Sequence, residues 1–78
     1  MRLQLAWRGG NSEGRRGWWL KFPYDRAFLE RFKRAISHEQ RAWDKDAQAW
    51  WVAEAYEGRL QELFPGFGAY LQQQELPL

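Results

Sequence analysis

The 78-residue chain has no cysteine and no threonine, one histidine and two serines, and each shortage removes a class of chemistry. Without thiols there is neither a disulfide framework nor a thiolate zinc site. His38 has no second histidine with which to share a metal, and it reads as an exposed linker residue. Ser37-His38-Glu39 has the composition of a triad without its geometry, because neighbours in sequence point in different directions. Asp44-Lys45-Asp46 has the spacing of a divalent-metal carboxylate pair, as in a nuclease, but Asp beside a tight turn has the plainer role of accepting from turn amides. The turn is the reading adopted, so no catalytic residue, metal or cofactor is assigned and the chain is read as non-enzymatic. No apolar run approaches the roughly 20 residues of a membrane span. Met1-Arg2-Leu3-Gln4-Leu5 alternates where a signal peptide has its apolar centre. No membrane partner and no small-molecule substrate are expected, and the expected compartment is the cytoplasm.

Aromatic surface is what the chain has in excess: six tryptophans, five phenylalanines and three tyrosines. A single domain over 1–78 buries about 60% of the surface its unfolded chain exposes, so these rings must supply much of its stability. Four tryptophans form two adjacent pairs, Trp18-Trp19 and Trp50-Trp51. At a shift of 32 residues the pairs coincide, and with them Leu20 with Val52, Tyr24 with Tyr56, Asp25 with Glu57, Phe28 with Leu60, Glu30 with Glu62 and Phe32 with Phe64. This reads as a duplicated β-β-α unit, first over 1–36 and again over 40–64, with a tail or short helix over 65–78.

Alternation assigns faces to these elements. Leu3, Leu5 and Trp7 alternate with Arg2, Gln4 and Arg8, which predicts a first strand with the apolar set on its core side. The four glycines of Gly9–Gly17 predict a long, mobile hairpin loop carrying Arg15 and Arg16. In the second strand Trp18, Leu20 and Phe22 share the core face, which turns Trp19 and Lys21 outward. Pro23 ends that strand, and Asp25 caps a helix through Ile36 whose buried stripe is Phe28, Leu29, Phe32, Ala35 and Ile36. Glu30 and Arg34 form an i, i+4 pair on its surface. A hairpin of 40–44 and 49–52 around 45–48 sets Trp43 opposite Trp50 and turns Trp51 outward. A second helix over 53–64 buries Tyr56, Leu60, Leu63 and Phe64 and ends at Pro65-Gly66, while Phe67, Tyr70 and Leu71 have the spacing of a short third helix. The elements predict an α+β two-layer sandwich, a four-stranded antiparallel sheet with two helices on one face. The other face is expected to be open, bearing Arg2, Gln4, Arg8, Trp19, Lys21, Ala42 and Trp51.

Charge is distributed unevenly along the chain. The first 42 residues carry ten Lys or Arg against four acids, and the remainder two against six. A basic half points to a polyanionic partner or an acidic protein surface, and an ion-paired surface is the bland alternative. Nine of the twelve bases are arginine, the better residue for phosphate forks and for stacking on rings. On the open face Trp19 and Trp51 would stack on bases while Arg2, Arg8, Arg15, Arg16 and Lys21 follow the phosphates. Equally, outward tryptophans mark an interface with a protein partner or a second copy of the chain.

Tyr24, Phe28-Leu29, Phe32-Lys33, Arg41, Trp43-Asp44, Trp50, Val52 and Tyr56 together resemble the HARP domain that precedes the motor of SNF2-type annealing helicases. The same run, within about residues 20–64, is similar to a small domain associated with bacterial J-domain proteins. The first resemblance implies binding to structured DNA such as forks and single-strand/double-strand junctions through basic and aromatic residues. It implies no remodelling activity, since neither motor nor J-domain lies in these residues. The expected function is a non-enzymatic nucleic-acid-binding module for single-stranded or structured DNA, with RNA also open. The alternative is a protein-interaction or homodimerisation module using the same tryptophans.

Overall fold

A computed structural model describes residues 1–70. Each half of the chain runs strand, strand, helix: β1 (Leu5–Gly10), β2 (Arg16–Lys21) and α1 (Arg26–Ala35), then β3 (Arg41–Asp44), β4 (Ala49–Ala53) and α2 (Glu57–Leu63). Short 3-10 turns at His38–Gln40 and Glu54–Tyr56 precede β3 and α2. The strands form one open antiparallel sheet of order β1-β2-β4-β3, and the helices cover one face of it, the α+β two-layer architecture expected. The halves meet where β2 pairs with β4: Trp18 opposite Val52, Trp19 opposite Trp51, Leu20 opposite Trp50. A 32-residue shift exchanges the first and third of these pairs and maps Trp19-Trp51 onto itself, so the two outward tryptophans sit on a local two-fold axis.

Period-two patterning builds the core face. Trp18, Leu20 and Val52 are fully buried beneath Phe28 and Phe32 of α1 and Leu60 of α2. The Phe22 ring lies 5.2–5.6 Å from those of Phe28, Phe32 and Phe64, and Trp18 meets Phe67 edge-on at 4.8 Å. Asp25, in an extended conformation, accepts from the Phe28 amide at 2.9 Å and so starts α1 where Pro23 has ended the strand. In the second hairpin the Asp44 Oδ1 accepts from the Asp46 and Ala47 amides at 2.9 and 3.0 Å, the turn role expected of it, and Gln48 completes the turn at φ 51°. Phe67 to Tyr70 are helical, whereas Leu71 and the tail lie outside the described residues.

Four expectations need correction. The chain bends at Gln4, so β1 runs in the opposite phase: Leu3 is buried, Ala6 and Arg8 pair with Leu20 and Trp18 on the helix side, and Leu5 and Trp7 face outward with Lys21 and Trp19. Gly9 explains the phase. A Cβ there would lie 2.9 Å from Trp19 Cδ1, so only glycine fits beside that ring, and Trp7, two residues earlier, shares its face and stacks on it at 6.2 Å. The hairpin loop is shorter than predicted, because β1 and β2 extend to Gly10 and Arg16. Its Asn11–Arg15 turn is closed by the Asn11 side chain, which accepts from the Glu13 and Arg15 amides at 2.9 Å each. Glu30 pairs with Arg26 at 3.8 Å instead of Arg34. The second helix begins as a 3-10 turn and becomes α-helical only at Glu57.

Two glycine substitutions test this packing. A Cβ at Gly17 would collide with the Val52 carbonyl and lie 2.6 Å from the Trp51 ring, so Gly17→Ala is expected to cost about 3 kcal/mol or more in urea unfolding followed by circular dichroism. A Cβ at Gly58 meets nothing within 4 Å, and Gly58→Ala should stabilise by about 0.5–1 kcal/mol through helix propensity.

Candidate nucleic-acid interface

Trp19 and Trp51 both lie on the outer sheet face, but their surroundings differ. Trp51 is only 1% exposed. Its indole occupies the space above Gly17 and donates to the Gly9 carbonyl at 3.2 Å. The Arg15 guanidinium lies 5.4 Å from the ring centroid, held by the Glu39 carbonyl at 3.2 Å and by the Gln40 side chain. Trp51 therefore has no face for a base to stack on, and Arg15 straps the first hairpin to the 3-10 turn before β3 instead of ending a flexible arm. Trp19 is half-buried, stacked on Trp7 and donating to the Gly10 carbonyl at 3.3 Å.

The other cations assigned to this face are dispersed, Arg8 by the phase of β1. Arg8 points to the helix side, where it lies 5.1 Å over the Trp18 ring and 3.1 Å from Glu57 Oε1. The same oxygen accepts from Trp18 Nε1 at 2.8 Å, so one carboxylate answers both a buried indole and a half-exposed guanidinium. Arg16 borders a shallow depression with Arg8 and Glu54, and Arg2 lines a groove beside Pro65 and Tyr70. Of the seven residues expected to form one binding face, Trp19 and Lys21 alone remain on it with partial exposure and without a structural bond from a charged head group.

The accessible rings are elsewhere. Tyr24 is 80% and Trp43 52% exposed. α1 covers the sheet as far as β4, where Phe32 packs edge-on against Trp50 at 5.2 Å. β3 is the edge strand beyond it, so Trp43 shares the core face with Trp50, 5.5 Å away, yet among the described residues no helix lies above it. The result is a cleft of about 420 Å³ walled by Phe22, Tyr24, Leu29, Trp43 and Trp50. Its polar groups are Asp25, Lys33 and Gln48. Lys33 Nζ and the Arg41 guanidinium each lie 6.0 Å from the Trp50 ring centroid, and Arg41 is fixed by donation from Nε to the Ile36 carbonyl at 3.0 Å.

Cations outside ion pairs also occur on the helix that borders the cleft. Among the described residues three of the twelve bases sit in ion pairs, Arg8 with Glu57, Arg26 with Glu30 and Arg59 with Glu62. Arg31, Lys33 and Arg34, exposed on α1, are outside those pairs. Tyr24, Lys33 and Trp43 carry part of the HARP resemblance but are not among the residues expected from the sequence to contact nucleic acid. Alternation does place Trp43 on the core face, but its exposure depends on β3 lying at the sheet edge, which no local pattern encodes. Comparison with protein-family models, curated proteins and solved structures finds no match.

The Arg8-Glu57-Trp18 group separates two substitutions. Glu57→Ala leaves the Trp18 indole N–H without its acceptor and should cost about 1–3 kcal/mol, whereas Glu57→Gln keeps an acceptor and should cost about 1 kcal/mol or less, both read from urea midpoints.

Proposed function

We propose that this protein is a non-enzymatic nucleic-acid-binding module that holds single-stranded or structured DNA along the cleft and the exposed cations of α1. One observation carries the reading: the exposed rings of Tyr24 and Trp43 border the same cleft as Lys33, with Arg31 and Arg34 on the same helix. Bases stacking on accessible rings contribute about 1–3 kcal/mol each, while cations beside them follow the phosphates. The HARP resemblance supports DNA in particular, since Tyr24, Lys33, Trp43 and Trp50 are among the residues that carry it and all four line the cleft.

A second reading, self-association or protein docking, is favoured by the outer face. There Leu5 is 48% exposed beside the stacked Trp7 and Trp19, with Lys21 the cation paired across from Leu5. Sedimentation equilibrium tests it: a dimer abolished by Trp7→Ser would support it, and a monomer at high concentration would remove self-association.

Fluorescence anisotropy with labelled single-stranded and forked oligonucleotides tests the first. Neutralising about three phosphates predicts roughly a twentyfold to fortyfold loss of affinity between about 50 and 200 mM salt. Charge reversal of Arg31, Lys33 and Arg34 to Glu should lower affinity by at least about tenfold, and Arg8→Ala should leave it within about twofold. Absence of binding at low salt, or indifference to the reversal, would overturn the proposal.

A further inference from the structure

The cleft is concave, and its polar groups lie among its aromatic walls, which gives it more capacity for recognition than a flat stacking platform. We propose that it is a pocket for one unpaired base carrying an exocyclic amine, read by Asp25, with the adjoining phosphate held by Lys33. The inference rests on the nucleic-acid reading for its ligand class and adds which base and which strand state the site takes.

Size and shape select an unpaired base. At about 420 Å³ the cleft falls at the lower end of small-molecule sites, which run from about 300 to 1,000 Å³. A base still stacked in a duplex presents only its edge and cannot enter a concave site without being extruded. The bound segment is therefore a single strand, a fork arm or a base turned out of a helix.

Charge excludes the other ligand an aromatic cleft could hold. Rings grouped with a carboxylate suit a quaternary or methylated ammonium. Here Trp50 already has Lys33 and Arg41 at 6.0 Å, two cations that would repel such a ligand and attract an anionic one. A planar group joined to a phosphate satisfies both the rings and Lys33, and Arg31 and Arg34 extend the positive potential along the helix.

Asp25 supplies the discrimination. One of its oxygens accepts from the Phe28 amide at 2.9 Å, and because an ionised carboxylate offers about four lone-pair positions it keeps capacity to accept again. A carboxylate can only accept. Cytosine presents an N4 amine to it, whereas uracil and thymine present the O4 carbonyl at that position, lone pair against lone pair. Adenine and guanine also carry an exocyclic amine. Gln48, held at the rim by the β3-β4 turn, has both a donor and an acceptor and is neutral in this choice.

Oligo(dC) against oligo(dU) of equal length isolates the difference, since the two pyrimidines match in size and sugar. Measured by anisotropy at low salt and mildly alkaline pH, where cytosine is neutral, oligo(dC) is expected to bind about five- to tenfold tighter. Asp25→Asn retains a helix cap, since Asn caps as well as Asp, and should raise oligo(dU) affinity by removing a negative charge while reducing the dC/dU ratio to about twofold or less. The Trp43 indole resonance in ¹⁵N spectra should move on oligo(dC) binding. Equal affinity for the two strands, a ratio that survives Asp25→Asn, or an unmoved Trp43 resonance would each overturn the inference while leaving nucleic-acid binding intact. Failure of both strands to bind would overturn the functional reading as well.

Discussion

The indole of Trp51 lies against the backbone of Gly17 and donates to the carbonyl of Gly9, so a single side chain ties β4 to both strands of the first hairpin. Much follows from that contact. Gly17 must lack a Cβ, and Gly9, under the Trp19 ring, must lack one too. Once Gly9 faces outward, strand alternation turns Trp7 outward and Arg8 inward. The inward Arg8 then meets Glu57 at the start of α2, and the same carboxylate receives the Trp18 indole. A packing constraint on one face of the sheet thus determines an electrostatic contact on the other.

The cations of the basic half divide by the same geometry. Arg8 and Arg15 are drawn into the architecture, one through Glu57 and the other as the strap over Trp51. Arg41 is held by the Ile36 carbonyl beside Trp50. Arg31, Lys33 and Arg34 are exposed on α1 outside the ion pairs of the described residues, and of the three Lys33 faces the cleft, where it is free to meet a polyanion. Net charge by half-chain could not distinguish these roles, because it counts structural and free guanidinium groups alike.

The cleft is a consequence of strand order. Two hairpins joined through β2 and β4 leave β3 at one edge, and α1, seated over β2 and β4, does not reach it. Trp43 therefore has the orientation of a core residue and the exposure of a surface one. Asp25 arrives at the same place because the helix it caps begins beside that uncovered region. A residue with a structural duty thereby acquires a position from which to read a ligand.

The local order of the fold was legible in the residues themselves. The 32-residue repeat, the Asp25 cap, the Asp44 turn and the inward Trp18, Leu20 and Val52 each follow from spacing and side-chain chemistry within a few positions of one another, and the α+β sandwich follows from them. The phase of β1 was not, since Leu3, Leu5 and Trp7 alternate as well for one face as for the other until a bend at Gln4 and the close approach of the Trp19 ring to Gly9 decide between them. Nor was the exposure of Trp51 and Trp43. Both point where alternation sends them, but Trp51 is covered by Arg15 from a distant turn and Trp43 is left bare by the reach of α1. A strand's periodicity sets the direction of a side chain. Whether anything lies in that direction depends on residues far away in sequence, and only the assembled sheet and helices bring them there.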